Sequence, residues 1–298
     1  MKHLEAFYKG KNILVTGGAG FIGSHIAQAL VGLGARVTIL DNFSAGNLSN
    51  LSSVFTYINL QYADITSAYS CLQAAKNKDI VFHLAAFTSV PGSIANPDLC
   101  TKINVLGTKN ILEACKDRGV KTFIYSSSAA VYGNKTEDCT ETDPTNPQSP
   151  YASSKVLGEK LCKEYSDAMI VSTACLRYFN VYGDRQNPNG SYAAAVAKFK
   201  HNLLNKKPIT IYGDGTQTRD FVHVSDVVKA NLNIAMLENM KGDIYNIGSG
   251  KSMNLLELIE KLELELNIKK TDITFESRRA GDIVHSNANC SKYKNLVF

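Results

Sequence analysis

Residues Asn12-Ile13-Leu14-Val15-Thr16-Gly17-Gly18-Ala19-Gly20-Phe21-Ile22-Gly23 decide the fold. The run Asn12–Thr16 is β-rich with an apolar centre, and it ends in a Gly-x-x-Gly-x-x-Gly turn. Ile22, Ile26, Ala29 and Leu33 then recur at helical spacing. Glycines at these positions permit a tight strand-to-helix turn, let the backbone approach a pyrophosphate and allow close helix–strand packing. The helix that follows offers free N–H groups and the positive end of its dipole to phosphates. Asp41 closes the next β-rich run, 18 residues beyond Gly23. A carboxylate there accepts hydrogen bonds from an adenosine ribose and repels a 2′-phosphate, so the pattern points to NAD rather than NADP. The competing reading is a tight structural turn with a surface aspartate.

Outward from this unit, the β-rich runs Arg36–Leu40, Tyr57–Tyr62, Ile80–Leu84, Thr122–Ser126 and Val171–Leu176 alternate with helical patterns. Such alternation predicts βαβ crossovers, an α/β fold of Rossmann type whose doubly wound parallel sheet carries helices on both faces. The expected division is a dinucleotide domain over 1–180, to which 218–248 returns, and a smaller α/β substrate lobe over 181–298. In that lobe the spacing predicts helices over Tyr192–Leu204, Ser225–Leu237 and Leu255–Leu266. Neither an internal repeat nor a low-complexity linker separates the two parts, so they are expected to pack directly and leave a cleft.

Composition narrows the class. Of the 298 residues, 44% are hydrophobic, 20% are charged and only 7 are proline, which excludes a disordered or collagen-like chain. A net charge of +5, thinly spread, argues against a nucleic-acid partner. The 7 cysteines are scattered with no Cys-x-x-Cys pair, as in the reduced thiols of a cytoplasmic protein, and no His/Asp/Glu cluster has metal-ligand spacing. The segment Met1–Lys11 lacks the apolar core of a signal peptide, and no stretch approaches the ~18 apolar residues of a membrane span.

Two further constellations carry chemistry. Tyr151-Ala152-Ser153-Ser154-Lys155 places a phenol and an ammonium one helical turn apart. Bringing a tyrosine from its ordinary value near 10 toward 7 takes ~4 kcal/mol, about what one cation ~4 Å away supplies at an effective dielectric of ~20. Ser126-Ser127-Ser128-Ala129-Ala130-Val131-Tyr132-Gly133 ends the fifth β-rich run, where open α/β sheets bind ligands. A hydroxyl there can hold a substrate oxygen as its proton leaves. Each also has a plain reading: Tyr-x-x-x-Lys arises in helices by chance, and serines cap strand ends.

Together these residues resemble the extended short-chain dehydrogenase/reductases, and among them the NAD-dependent nucleotide-sugar epimerases. His83-Leu84-Ala85-Ala86, Asn104-Val105-Leu106-Gly107-Thr108, Arg177-Tyr178-Phe179-Asn180-Val181-Tyr182-Gly183, Thr218-Arg219-Asp220-Phe221-Val222-His223 and Arg279-Ala280-Gly281-Asp282 extend the likeness over nearly the whole chain. The nearest likeness is to bacterial UDP-N-acetylglucosamine 4-epimerases, sisters of UDP-glucose 4-epimerase. The resemblance implies transient oxidation at the sugar C4 by a retained NAD, with Tyr151 as the base, Lys155 as the cation beside it and Ser128 as the hydroxyl partner. It implies NAD contacts from Gly17, Gly20, Phe21, Ile22 and Gly23, from Asp41, Asn42, Ser44 and Gly46 near the ribose, and from Tyr151 and Lys155, the latter holding the nicotinamide ribose. Asp64 and Ile65 would meet the adenine, Leu84, Ala85 and Ala86 would lie beneath the diphosphate, and Asn104 and Tyr178 farther along. For the UDP-sugar it implies Asn180, Gln186, Ala194, Arg219, Arg279 and Asp282, with Thr88 and Ser89 lining the sugar pocket. His83 and His223 are read as packed motif residues, not as bases.

Related 4,6-dehydratases place an Asp-Glu pair after the catalytic hydroxyl, where this chain has Ala129 and Ala130, and uronate decarboxylases carry a Glu in that stretch. Epimerisation is therefore the expected reaction. Ser286 matches a pocket-wall position that is bulky in glucose-restricted relatives, so room for a 2-acetamido group is expected: UDP-GlcNAc/UDP-GalNAc, with UDP-glucose/UDP-galactose besides. A homodimer through the helix after Asp98 and the Tyr151 helix is implied too. Family members usually continue some way past the point matching Phe298, so the lobe is expected to be short at its end. The alternatives are a 4-epimerase of UDP-hexuronic or acetamido-uronic acids and a non-catalytic NAD-binding scaffold.

Overall fold

The computed structural model describes residues 2–188, 195–268, 271–278 and 283–296. Its strands are β1 (Asn12–Thr16), β2 (Arg36–Asp41), β3 (Ile58–Tyr62), β4 (Ile80–His83), β5 (Thr122–Ser128) and β6 (Ser172–Tyr178), then β7 (Asn180–Tyr182), β8 (Ile209–Tyr212), β9 (Thr218–His223), β10 (Lys241–Ile247), β11 (Ser252–Asn254) and β12 (Ile273–Glu276). Seven of them form one sheet in the order β10-β6-β5-β4-β1-β2-β3. Every pairing in it is parallel. The order reverses at β1, which pairs with β2 on one side and β4 on the other. Ligands bind at such a switch point, outside the carboxyl ends of the strands.

The central strands are largely apolar because both faces are covered. Ile13, Val15, Ile39 and Phe82 join a core with the helix Phe21–Gly32 and the helix Val224–Ile234. Leu14, Val81, Phe123 and Tyr125 face the opposite layer with Ile111, Leu112, Cys115 and Cys162. β5 and β6 run further than their apolar runs predict, because Ser127 pairs with Arg177 and Ser128 with Tyr178. The added rungs deliver Ser128 to the sheet's ligand edge.

Val196, Phe199, Leu203, Ile209, Ile211, Leu255, Leu258, Ile259 and Leu262 form a separate smaller core. It packs the helices Ala195–Leu204 and Leu255–Leu266 beside the β12–β8 pair. The latter helix is set by a capping box, Asn254 with Glu257, and ends at Asn267 in the left-handed region. The start expected for the former, Tyr192, lies outside the described residues. β9 pairs with β7 and β11 in a three-stranded sheet, whereas β10 returns to the edge of the large one. No helix among the described residues is long and apolar enough to cross a membrane.

Candidate active site

The turn after β1 is built for close backbone approach. Gly17 has φ +68°, and a Cβ there would lie 2.6 Å from the Ala85 nitrogen. A Cβ on Gly23 would sit 2.2 Å from the Gly17 carbonyl oxygen. The helix Phe21–Gly32 starts at Gly20 without a side-chain cap, so its first N–H groups face the turn. Phe21 and Ile22 on this first turn are half-buried, and Phe21 packs edge-on to His25. Asp41 is buried at the end of β2 and oriented by two backbone donors, Ala19 N–H at 2.8 Å and Phe43 N–H at 2.8 Å. Each oxygen keeps a lone pair for a ribose hydroxyl. Gly46 passes beside it with no room for a side chain. A dinucleotide fits this cradle: flat glycine backbone for a diphosphate, an open helix start and an oriented carboxylate.

Asn42 donates to Asp64 at 2.7 Å and accepts from the Ser44 N–H at 3.0 Å, folding the loop over the sheet edge. Burial pushes the Asp64 carboxyl up, but hydrogen bonds from Thr66 and Asn42 and the charge of Lys102 outweigh it and hold the group below its ordinary value. Ile65 is buried against Gly107, and its carbonyl accepts from Asn110. Past β4, Leu84 and Ala85 hang from Thr16, whose carbonyl and hydroxyl take their two N–H groups, and Ala86 follows half-buried. Asn104 commits its amide to protein: Oδ1 accepts from Phe87 N–H at 2.7 Å, and Nδ2 donates to the Phe87 carbonyl at 3.0 Å and to Ser154 Oγ at 2.8 Å. Tyr178 likewise donates its hydroxyl to Asn231 at 2.9 Å. Both side chains are buried and spend these polar atoms on protein partners.

Ser128, Tyr151 and Lys155 meet at the carboxyl edge of β5. Ser149 caps the helix Pro150–Asp167, Pro150 opens it, and the Tyr151 N–H is held by Ser93 Oγ at 3.1 Å. Ser128 stands beside the Tyr151 phenol, and its own Oγ accepts from Ala130 N–H at 3.2 Å. Burial raises the Tyr151 pKa, Ser128 pulls it back, and the Cys100 thiol adds a small rise. Lys155, 3% exposed, donates to the Ser126 carbonyl at 2.7 Å. Its ammonium lies 5.1 Å from the Tyr125 ring centre and 5.8 Å from that of Tyr151. Burial pushes the Lys155 pKa down to about 8. Lys155 thus stands to the phenol as a cation one helical turn away, with its hydrogen bond given to the Ser126 carbonyl.

Of the residues expected on the substrate side, Asn180, Arg219 and Ser286 gather around β9. Asn180 Nδ2 donates to the Asp220 carbonyl at 3.0 Å, and Arg219 Nη1 donates to the Val284 carbonyl at 3.3 Å. Ser286, 7% exposed, pairs its backbone with Thr218 and Asp220. Val284 N–H donates to Asn134 Oδ1 at 2.9 Å, tying the Ser286 segment to the loop beyond Ser128. Gln186 donates to the Val181 carbonyl at 3.0 Å, while its buried Oε1 has no partner among the described residues. Thr88 is exposed, and Ser89 caps the helix Val90–Ala95 through Gly92 N–H at 2.9 Å. Ala194, Arg279 and Asp282 lie outside the described residues. His83 is buried in β4 as expected; His223 instead is exposed, with Nδ1 accepting from Ser225 N–H at the next helix start. No group of three or more potential metal ligands occurs among the described residues.

Sequence reasoning missed the support beneath this triad. Glu159, one turn beyond Lys155, accepts from Arg177 Nε at 2.8 Å and Nη2 at 2.7 Å and from Ser127 Oγ at 2.6 Å. The available signal was the i+4 step from Tyr151 through Lys155 to Glu159.

Residues 13–248 match the model of the NAD dependent epimerase/dehydratase family. A solved UDP-N-acetylglucosamine 4-epimerase from Methanobrevibacter ruminantium, in complex with UDP-N-acetylmuramic acid, superposes with a TM-score of 0.92 at 39% identity, covering 97% of this chain and 93% of that one. A UDP-glucose 4-epimerase from Thermotoga maritima, solved with UDP-glucose, gives 0.88 at 35% identity, covering 95% and 91%. A UDP-N-acetyl-alpha-D-glucosaminuronate decarboxylase of Bacillus cytotoxicus is 37% identical over 258 residues, 85% of this chain and 79% of its own length. With the glycine cradle, the oriented Asp41 and the Ser128–Tyr151–Lys155 edge in place, this chain belongs to the NAD-dependent epimerase/dehydratase family.

Proposed function

We propose that this chain interconverts the C4 epimers of a UDP-sugar, UDP-GlcNAc and UDP-GalNAc first and UDP-glucose and UDP-galactose besides. The observation that carries the reading is Ser128 set beside the Tyr151 phenol next to a glycine cradle, with Ala129 and Ala130 offering no second acid or base. NAD held over Gly17, Gly20 and Gly23 with its ribose at Asp41 supplies a hydride acceptor and, when oxidised, a positive charge. Tyr151 takes the proton of the sugar 4-hydroxyl and returns it when the opposite face has been presented. Ser128 holds that oxygen by a hydrogen bond while the proton moves. Lys155, itself buried, contributes positive charge across one helical turn. Arg219 and Arg279 are assigned to the diphosphate and Asn180 to the wall beside it.

The test incubates purified protein, without added cofactor, with UDP-GlcNAc, UDP-glucose and UDP-glucuronate separately, and resolves C4 epimers by proton NMR. Conversion of UDP-GlcNAc is expected, and Ser286→Tyr should abolish it while sparing UDP-glucose. Equal loss of both substrates would remove Ser286 from the specificity argument. Turnover of UDP-glucuronate alone would favour the uronate reading, to which the decarboxylase relative lends weight.

We further assign a cytoplasmic homodimer. Leu99, Leu106 and Leu157 are 40%, 44% and 42% exposed on neighbouring helices, a row of leucines suited to a self-complementary helix face. Seven free cysteines suit a reducing compartment.

A further inference from the structure

His83 takes no part in the chemistry above, yet it joins its two halves. Its ring is 2% exposed, with the Phe123 and Tyr125 rings centred 5.5 and 6.0 Å away. Nδ1 lies 2.7 Å from Thr16 Oγ1, and Nε2 lies 3.1 Å from Thr108 Oγ1. Proton bookkeeping fixes every direction. Thr108 Oγ1 is 2.6 Å from the Asn104 carbonyl, which can only accept, so the threonine's single hydrogen is used there. Nε2 must then carry the ring proton and donate to Thr108. Nδ1 is left as the acceptor for the Thr16 hydroxyl, which itself accepts from Ala85 N–H at 3.2 Å.

The chain continues at both ends. Thr16 and Ala85 border Gly17 of the cofactor cradle. The Asn104 side chain grips the Phe87 backbone and Ser154 Oγ, and Ser154 donates to the carbonyl of Tyr151 at 2.7 Å. Asn104 lies in a π-helical turn, Lys102–Leu106, a wider turn of the kind that recurs at functional sites.

We propose that His83 is a positioning residue, locked as the neutral Nε2–H tautomer, that holds the cofactor cradle and the Tyr151 turn in one register. The ionisable groups facing it are Lys155 and Tyr125. Burial first, and then the Lys155 charge, push its pKa down to about 3, so the ring stays neutral through the range in which an ordinary histidine titrates. The kinetic consequence rests on the epimerase reading; the tautomer does not.

The experiment records long-range proton–nitrogen NMR correlations of histidine-labelled protein between about pH 5 and pH 9, a span that an ordinary histidine crosses with its charge change. The His83 signal is assigned by its loss in His83→Gln. A single Nε2–H pattern that does not move with pH is expected. An Nδ1–H pattern, or titration near 6.5, would overturn the proposal whatever the enzyme's substrate. In parallel, Thr108→Val strands the Nε2 proton; kcat should fall about tenfold with KM for the UDP-sugar nearly unchanged, and Thr108→Ser should restore it. A Thr108→Val protein with parental kcat, or a Thr108→Ser protein as impaired as Thr108→Val, would overturn the coupling. Should Thr108→Val fail to fold, the wild-type spectrum still decides the tautomer and Thr108→Ser the hydroxyl.

Discussion

Replacing Glu159 by glutamine should cost more stability than any other single-atom change near the active site. The side chains of Arg177 and Glu159 are 2% and 7% exposed. The carboxylate takes a forked pair of bonds from the guanidinium at 2.8 and 2.7 Å and a third from Ser127 at 2.6 Å. The other face of the guanidinium lies 4.6 Å over the Tyr132 ring centre, and Nη1 has no partner among the described residues. An amide keeps the shape but removes the negative charge, and arginine cannot shed its proton to compensate. A buried charge stranded this way costs about 3–5 kcal/mol, a large share of a total that rarely exceeds about 15. Removing both charges in Glu159→Leu/Arg177→Met should cost less than Glu159→Gln alone, since no ion is left unpaired. Urea unfolding of the single and double variants, with slopes checked for equality, measures both quantities. A loss below about 1 kcal/mol for Glu159→Gln, or a double variant whose loss equals the sum of the singles, would refute this account of the pair.

Two further outcomes follow from the same interior. Lys155 is pushed down to about 8 from 10.5, so between those values the unfolded chain binds more protons than the folded one and stability rises with pH. Cofactor-free Lys155→Met should therefore exceed the parent at pH 7 by on the order of 3 kcal/mol, with the gap closing as pH climbs from about 8 to above 10; a gap that stays constant across that range would contradict the burial cause. The Tyr125 hydroxyl is buried, faces Gly158 and has no partner among the described residues. Tyr125→Phe should raise stability by about 1 kcal/mol, read as a higher melting midpoint, because an unpaired buried hydroxyl is removed while the ring under Lys155 remains; a lower midpoint would show a bond to that hydroxyl.

Local pattern was enough wherever chemistry is written at short spacing. Gly17, Gly20 and Gly23 answer to the geometry of one turn, and Tyr151 and Lys155 to one turn of helix. Of the six strands read from 12 to 176, the inner ones announce themselves because a doubly covered strand is apolar at its centre, whereas β3 at the edge is only half-buried. The same logic undershot β5 and β6: their last rungs, Ser127–Arg177 and Ser128–Tyr178, are polar, and only pairing with a neighbour keeps them in the sheet.

What the chain order hides is partnership across distance. Tyr8 is fully buried with its hydroxyl on the Leu232 carbonyl, 224 residues away, and β10 closes the sheet from the far side of the second lobe. Thr16, His83 and Thr108 stand 67 and 25 residues apart, and Glu159 and Arg177 18 apart, so no window of sequence contains the contacts that make them a network. Periodicity reports which face of an element is covered, whereas the polar group that satisfies a buried donor is chosen by packing in three dimensions. The sequence by itself determined the parallel α/β plan, the glycine turn and the Ser128, Tyr151 and Lys155 pattern; tertiary structure alone decided which distant partners hold those residues in place.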